Sequence, residues 1–460
     1  LPSDIAAAQA ISARIERLPP VRAVWNIVIL LALPGIFEIY DLAHTAYLPP
    51  AMIREGLLTP SGLFGSPQAT FAASTFLGLF VGASMLGHVA DAYGRRQVFV
   101  GALLLYSAGT FVLAFQTSAA GIYACRFVAS VGIGIEMVTA DAYLVELVPA
   151  SIRGKAFALT HVIVYVANPL VAVLSFLLVP LAPLGFAGWR WVALIGCLGA
   201  VVIWWIRLGI PESPRWLALK GRHVEADAVT RRLEDRVRAE TRGALPEPSA
   251  GVPQIVDRSS LRDIFRPPYR RRTVMLAVFN FFQTVGFFGF ANWMPTLLEA
   301  QGVTFTHSLL YSSIIAIAYP LSPLLWMMVV ADRFERKWMI VTAATGVAIC
   351  GALFSRQSSP VALVSLGILI TSFNTLLSLS YHPYQAELYP TAIRARAVGF
   401  VYSFSRLSTV LTSFIIGGLL GAFGPAGVFT FITGSMAVVV AVIGLLGPLT
   451  RNRTLEEISK

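Results

Sequence analysis

Charge is scarce in this chain. Only 13% of its 460 residues are Asp, Glu, Lys or Arg, and 56% are hydrophobic. A soluble domain carries about 25% charged residues, so a water-exposed globular enzyme is excluded. Cysteine is scarcer still. Cys125, Cys197 and Cys350 all fall within apolar stretches, which excludes a disulfide framework and leaves no paired metal spacing. No nucleophile or phosphate-loop constellation is present, so neither catalysis nor a cofactor is expected. Acidic residues are outnumbered 24 to 35 by basic ones, giving a net charge of +11. The basic residues are scattered among loops, not gathered into the patch that nucleic acid requires.

What the chain has in abundance is apolar runs of about twenty residues, the length that crosses a ~30 Å hydrocarbon core. Twelve predicted helices cover approximately 24–48, 70–90, 97–115, 119–145, 155–180, 190–209, 273–298, 308–331, 338–355, 359–382, 395–421 and 425–448. The expected organisation is an N-terminal segment 1–23, a six-helix bundle 24–209, a linker 210–272, a second six-helix bundle 273–448 and a tail 449–460. Basic residues favour alternate loops: Arg14, Arg17 and Arg22, then Arg95 and Arg96, Arg153 and Lys155, Arg333 to Lys337, Arg394 and Arg396, Arg451 and Arg453. The positive-inside rule then puts both termini and the linker in the cytoplasm of a multi-pass protein of the cell membrane. In the linker, Ala226–Thr241 has charged, helical spacing and precedes a Pro/Gly/Ser-rich tether from Gly243 to Pro253. An amphipathic helix and a flexible connection are expected there.

A shift of 241 residues lays part of the chain on itself. Tyr143, Glu146, Leu147, Pro149, Ile152, Arg153 and Ala156 fall on Tyr384, Glu387, Leu388, Pro390, Ile393, Arg394 and Ala397. Asp91, Arg95 and Arg96 fall on Asp332, Arg336 and Lys337. Polar clusters repeated at the ends of apolar runs imply two related halves, the architecture of secondary transporters.

The motifs narrow this further. Gly87-His88 to Asp91 and Gly94-Arg95-Arg96, the second copy Asp332 to Lys337, Arg126 to Gly134, and Pro211-Glu212-Ser213-Pro214-Arg215 resemble signatures of the major facilitator superfamily. They are similar to its sugar-porter and organic-ion branch. The resemblance implies an all-α membrane protein of twelve transmembrane helices in two pseudo-symmetric bundles, moving small molecules by alternating access. Asp91, Arg95, Arg96, Glu146, Arg153, Asp332, Arg336, Glu387 and Arg394 are then expected to gate the cytoplasmic side. An anion such as Asp91 suits a helix N-terminus. The arginines and glutamates would pair as a latch that parts when the halves rock.

Ionisable residues inside the spans cost about 2.5–3.5 kcal/mol each on insertion scales and usually face a cavity. Glu38, Asp41, Arg126, Glu136, Asp141 and Arg406 have no like-charged counterpart under the repeat; Asp141, for example, maps onto His382. They are expected to form one central compartment. Glu38 and Asp41, three residues apart, are expected to share a face with His44. The resemblance to proton-coupled sugar porters pairs Asp41 on helix 1 with Arg126 on helix 4. Proton coupling is accordingly assigned to Asp41, Arg126 and Glu38. The plainer reading is a permanent salt bridge that fixes packing.

Arg406 lies in Phe404 to Leu407, a segment resembling that of organic-anion and aromatic-acid transporters, and guanidinium suits a carboxylate. Expected substrate contacts are Arg406, Tyr402, His161, Tyr165, Asn168, Asn280, Gln283, Phe287, Asn374 and Tyr381. Helix 7 is aromatic and poor in amides, which favours a ring-bearing acid over a polyol. The expected function is proton symport of small organic acids, with lipid, substrate and protons as the only partners and the monomer as the working unit. Organic cation or drug antiport is the first alternative, and sugar or polyol symport the second.

Overall fold

The computed structural model describes residues 2–59, 66–85, 89–199, 211–241, 243, 245–248, 261–329, 334–389 and 391–450. Nine helices among them are long and apolar enough to cross a membrane. In chain order the spans are α1 (Arg22–Arg54), α2 (Pro67–Met85), α3 (Arg95–Leu113), α4 (Ala119–Leu147), α5 (Ala150–Tyr165 and Ala167–Leu178) and α6, described over Gly188–Gly196. The second half contains α7 (Tyr269–Ala291), α8 (Phe305–Ala316 and Ala318–Val329), α9 (Arg336–Phe354) and α10 (Pro360–Glu387). The last helix, Thr391–Leu446, is broken at Gly424, with φ +62°. Its limb 391–423 (α11) runs away from the end where Thr391 lies. Its limb 425–446 (α12) returns, so that Tyr384 can donate to the Pro448 carbonyl at 2.9 Å. That fold-back divides the last of the nine into two limbs, and α2 and α6 are further helices of the first half among the described residues.

Sequence explains the interruptions. Pro169 and Pro320 each lack an amide hydrogen, and each ring crowds the carbonyl four residues earlier. The breaks in α5 and α8 follow directly after those positions, Tyr165 and Ala316. The two broken helices pack on each other across the halves: Leu309, Ala316 and Tyr319 join a cluster with Ala167, Val171 and Ala172. Between α2 and α4 the backbones nearly touch. A Cβ on Gly82 would lie 2.2 Å from the Val131 carbonyl oxygen, so glycine is obligatory there.

One end of the molecule carries the extra helices Pro2–Glu16, Pro214–Leu219 and His223–Thr241; it is the linker end below. Arg14 grips Glu234 through two bonds of 3.0 and 2.8 Å and Asp227 through a third of 2.6 Å. Arg17 adds a 2.6 Å bond to Glu234. Leu233 and Val237 pack against Val24, Ile27 and Val28 at the start of α1. The first helix and the amphipathic linker helix therefore belong to the first bundle. The following tether lies largely outside the described residues.

At the far end the halves are sealed. Gln68 of α2 donates to the Asn292 carbonyl at 3.2 Å and accepts from Thr296 at 2.7 Å. Arg54 pairs with Glu299 at 2.8 Å. At the linker end a vestibule of ≈ 1330 Å³ opens between α5, α8 and α10, bordered by Lys155, Phe157, Trp326, Phe334 and Glu387.

Candidate functional site

Between the bundles lies a cavity of ≈ 290 Å³. Asp141, His161, Tyr165, Ser378 and His382 border both it and the vestibule, so it opens toward the linker end. The first bundle supplies Glu38, Glu136, Asp141, His161, Tyr165 and Asn168; the second supplies Gln283, Phe287, Asn374, Tyr381, His382, Tyr402 and Arg406. All the expected substrate contacts border it except Asn280. That side chain is buried in the second bundle, donating to the Leu276 carbonyl at 2.9 Å and to Gln385 Oε1 at 3.3 Å. Asn280 is therefore a tie between α7 and α10.

Arg406 is the cavity's cation. Its guanidinium lies 5.3 Å from the Tyr402 ring centre and donates to Met137 Sδ across the halves at 3.9 Å. It makes no ion pair among the described residues. Asn374 commits its amide nitrogen to the Gly286 carbonyl at 3.2 Å, while its oxygen has no partner. Aromatic walls come from Phe287, Phe288, Tyr319 and Tyr381.

Asp41 and Arg126 form a second polar centre, which does not border the cavity. Arg126, with none of its surface exposed, donates from Nη1 to Asp41 Oδ2 at 2.8 Å, from Nη2 to the Asp41 carbonyl at 2.9 Å and from Nε to Thr75 at 2.8 Å. Thr110 donates to Asp41 Oδ1 at 2.6 Å, and His44 Nδ1 lies 3.1 Å from the same oxygen. The expectation of one compartment holding Asp41, Arg126 and Arg406 is thereby corrected. So is the shared face of Glu38 and Asp41. Three residues of helix separate side chains by about 60° around the axis, enough here for Glu38 to face the cavity while Asp41 faces α3 and α4.

The gating set divides in the same concrete way. Arg95 pairs with Glu146 at 3.1 Å, and at the repeat-related positions Arg336 pairs with Glu387. Each pair lies within one bundle, and both are closed while the vestibule is open, so neither is a latch across the seam. Arg153 joins Glu16 at 2.9 Å and caps the Val145 and Val148 carbonyls. Glu212 caps the α3 N-terminus, accepting from the amides of Arg95 (2.9 Å) and Arg96 (3.1 Å), and also from that of Ser213 (2.9 Å). Asp332 lies outside the described residues, as do the side chains of Asp91 and Arg394. His382 is a cavity residue that sequence reasoning passed over. Its signal was its place as the repeat partner of Asp141.

The chain matches the family model "Sugar (and other) transporter" over residues 27–460. Niacin transporter NiaP of Acinetobacter baylyi (strain ATCC 33305 / BD413 / ADP1) is 27% identical, covering 97% of this chain and 98% of that protein. Inner membrane metabolite transport protein YdjE of Escherichia coli (strain K12) is 26% identical, covering 98% of each. The partially occluded, inward-open xylose transporter XylE from E. coli superposes with a TM-score of 0.74 at 19% identity, covering 94% of this chain and all of that one. The XylE likeness shows the fold. Repeated halves, apolar helices, a cavity between them and a family match over nearly the whole chain lead to one conclusion: this protein belongs to the sugar (and other) transporter family of the major facilitator superfamily, and is a multi-pass membrane transporter, not an enzyme.

Proposed function

We propose that the protein is a proton-coupled symporter of small organic acids, aromatic or other monocarboxylates, working as a monomer by alternating access. The observation that carries the reading is Arg406: a cation in the cavity wall, without an ionic partner among the described residues and set over an aromatic ring. A guanidinium in that setting has fixed donors to offer a carboxylate, and Tyr381, Phe287 and Phe288 offer ring-sized apolar contact. One relative, NiaP, is named for niacin, an aromatic acid. With the linker end in the cytoplasm, as its basic loops suggest, this conformation faces inward.

Coupling is assigned to Asp41 and Arg126, with Glu38 at the cavity edge. Protonation of Asp41 would free Arg126 and loosen α1 from α4. Organic cation antiport is the second reading, favoured by Glu38, Glu136 and Asp141 on the opposite wall. A thermal-shift screen of the purified protein at two pH values distinguishes them, using benzoate, nicotinate and short aliphatic carboxylates against quaternary ammonium ions. Stabilisation by carboxylates that disappears in Arg406→Ala supports the acid reading. Stabilisation by the ammonium ions alone replaces it with the cation reading.

A further inference from the structure

Glu136 on α4 is the least explained side chain of the site. It borders the cavity, none of its surface is exposed, and neither carboxylate oxygen has a hydrogen-bond partner among the described residues. An ionised carboxylate left so would be strongly unfavourable. The available cation does not neutralise it: Arg406 rests on Met137, the next residue, and forms no ion pair among the described residues. Asp41, by contrast, receives Arg126, Thr110 and its own His44 contact. In this conformation Asp41 is held as an anion, and Glu136 is equipped to be neutral.

The surroundings give Glu136 a route. Glu38 of α1 borders the same cavity and is 7% exposed. Asp141, five residues further along α4, is exposed and borders both cavity and vestibule. Exposure thus increases from Glu136 through Glu38 to Asp141. On α3, Tyr106 packs against Gly132, one turn before Glu136, and its hydroxyl has no partner. The other ionisable groups bordering the cavity are His161 of α5, His382 of α10, Arg406 of α11 and the phenols of Tyr47, Tyr165, Tyr319, Tyr381 and Tyr402; α2 carries none.

We propose that Glu136 is a proton-loading site of the transport cycle, charged together with Glu38 and discharged through Asp141 into the open vestibule. On loading, an O–H bond of a hydronium ion breaks as a Glu136 oxygen takes its proton, leaving water. On release the carboxyl O–H bond breaks and the proton passes to a water beside Asp141, giving hydronium, with no change of oxidation state. The proposal rests on the proton-coupled reading above and adds a station between sealed Asp41 and the vestibule.

The test needs no cargo. Infrared difference spectra of the full-length protein in lipid, recorded between acidic and alkaline buffer, report titrating carboxyl groups by their C=O stretch. The wild type is expected to show a protonated-carboxyl band with a component that vanishes in Glu136→Gln, shifts in Glu136→Asp and persists in Asp41→Asn. Because Glu136→Asp keeps a titrating group, the assignment survives an unstable Gln variant. A band unchanged in both Glu136 variants, or one removed by Asp41→Asn alone, overturns the proposal. Since no substrate is added, that failure leaves the organic-acid reading intact, and failure of carboxylate binding leaves this result intact.

Discussion

Arg126 holds Asp41 from two directions, its carboxylate at 2.8 Å and its backbone carbonyl at 2.9 Å. Breaking one side of a buried pair typically costs about 3–5 kcal/mol, because the remaining charge has no solvent. Asp41→Asn is therefore expected to lower the melting temperature and to abolish proton-driven accumulation in proteoliposomes while substrate exchange continues. Undiminished uphill uptake in that variant would remove Asp41 from the coupling.

Arg406 faces the cavity without an ionic partner among the described residues, so its replacement leaves no buried charge stranded. Arg406→Ala is expected to change unfolding stability by no more than about 1 kcal/mol. A hydrogen bond to a charged group contributes about 1.5–3 kcal/mol. Binding of the carboxylate found in the thermal-shift screen should then weaken roughly 10- to 100-fold, with Arg406→Lys recovering part of it. Equal affinity in wild type and Arg406→Ala, read by titration calorimetry, would rule out this contact.

The Arg95–Glu146 pair belongs to one bundle. Each single charge reversal is expected to destabilise the protein, and the double exchange Arg95→Glu with Glu146→Arg to restore much of the loss. Contacting pairs show coupling energies of about 0.5–3 kcal/mol. A double-mutant cycle on melting curves measures it. No coupling would mean that the pair is incidental.

At the start of α3, Glu212 accepts the amide hydrogens of Arg95 and Arg96. Glu212→Ala removes a cap and strands those donors, an effect of about 0.5–2 kcal/mol. Faster hydrogen exchange confined to the first turn of α3 is the expected signature. Protection unchanged at Arg95 and Arg96 would contradict it.

The N-terminal helix should respond to acid. Burial pushes the Glu234 carboxyl up, but hydrogen bonds from Arg14 and Arg17 outweigh burial and hold it below its ordinary 4.5. The bond from Arg14 likewise holds Asp227 below its ordinary 3.8. A carboxylate whose folded pKa is depressed stabilises above its ordinary value and loses that contribution as pH falls through the lowered one. Docking of Pro2–Glu16 on His223–Thr241 is therefore expected to hold at neutral pH and to weaken progressively below about pH 4.5, read as increased protease access to residues 17–21. Access that is flat across that range would contradict it.

Much of this was legible because apolar length and the 241-residue repeat are properties of the sequence alone. Buried charge pointed to Arg406, Glu38 and the Asp41–Arg126 pair for the same reason: such residues are costly in a membrane unless they meet a partner or a cavity. What sequence could not resolve was direction. Glu38 and Asp41 differ by a modest rotation, and only packing of α1 against α3 and α4 decides which one meets the cavity. Asn280 shares a spacing pattern with Gln283 and Phe287, yet Gln385 from α10 captures it. Glu212 capping α3 depends on the chain returning after α6, a long-range event without a local signal. The arginine-glutamate pairs were found by the repeat, but their residence inside single bundles required coordinates.

The far-end seal has a thermodynamic consequence. Its polar ties are Gln68 with Asn292 and Thr296, and a surface pair, Arg54 with Glu299, beside the apolar contact of Leu309, Ala316 and Tyr319 with Ala167, Val171 and Ala172. Neutral bonds of this sort are each worth about 0.5–1.5 kcal/mol and exposed ion pairs about 0–1 kcal/mol. Polar ties this small can part without a large input of energy, so opening of this end is governed by the apolar contact beside them. Reversing the concentration differences across the bilayer is expected to reverse the net flow.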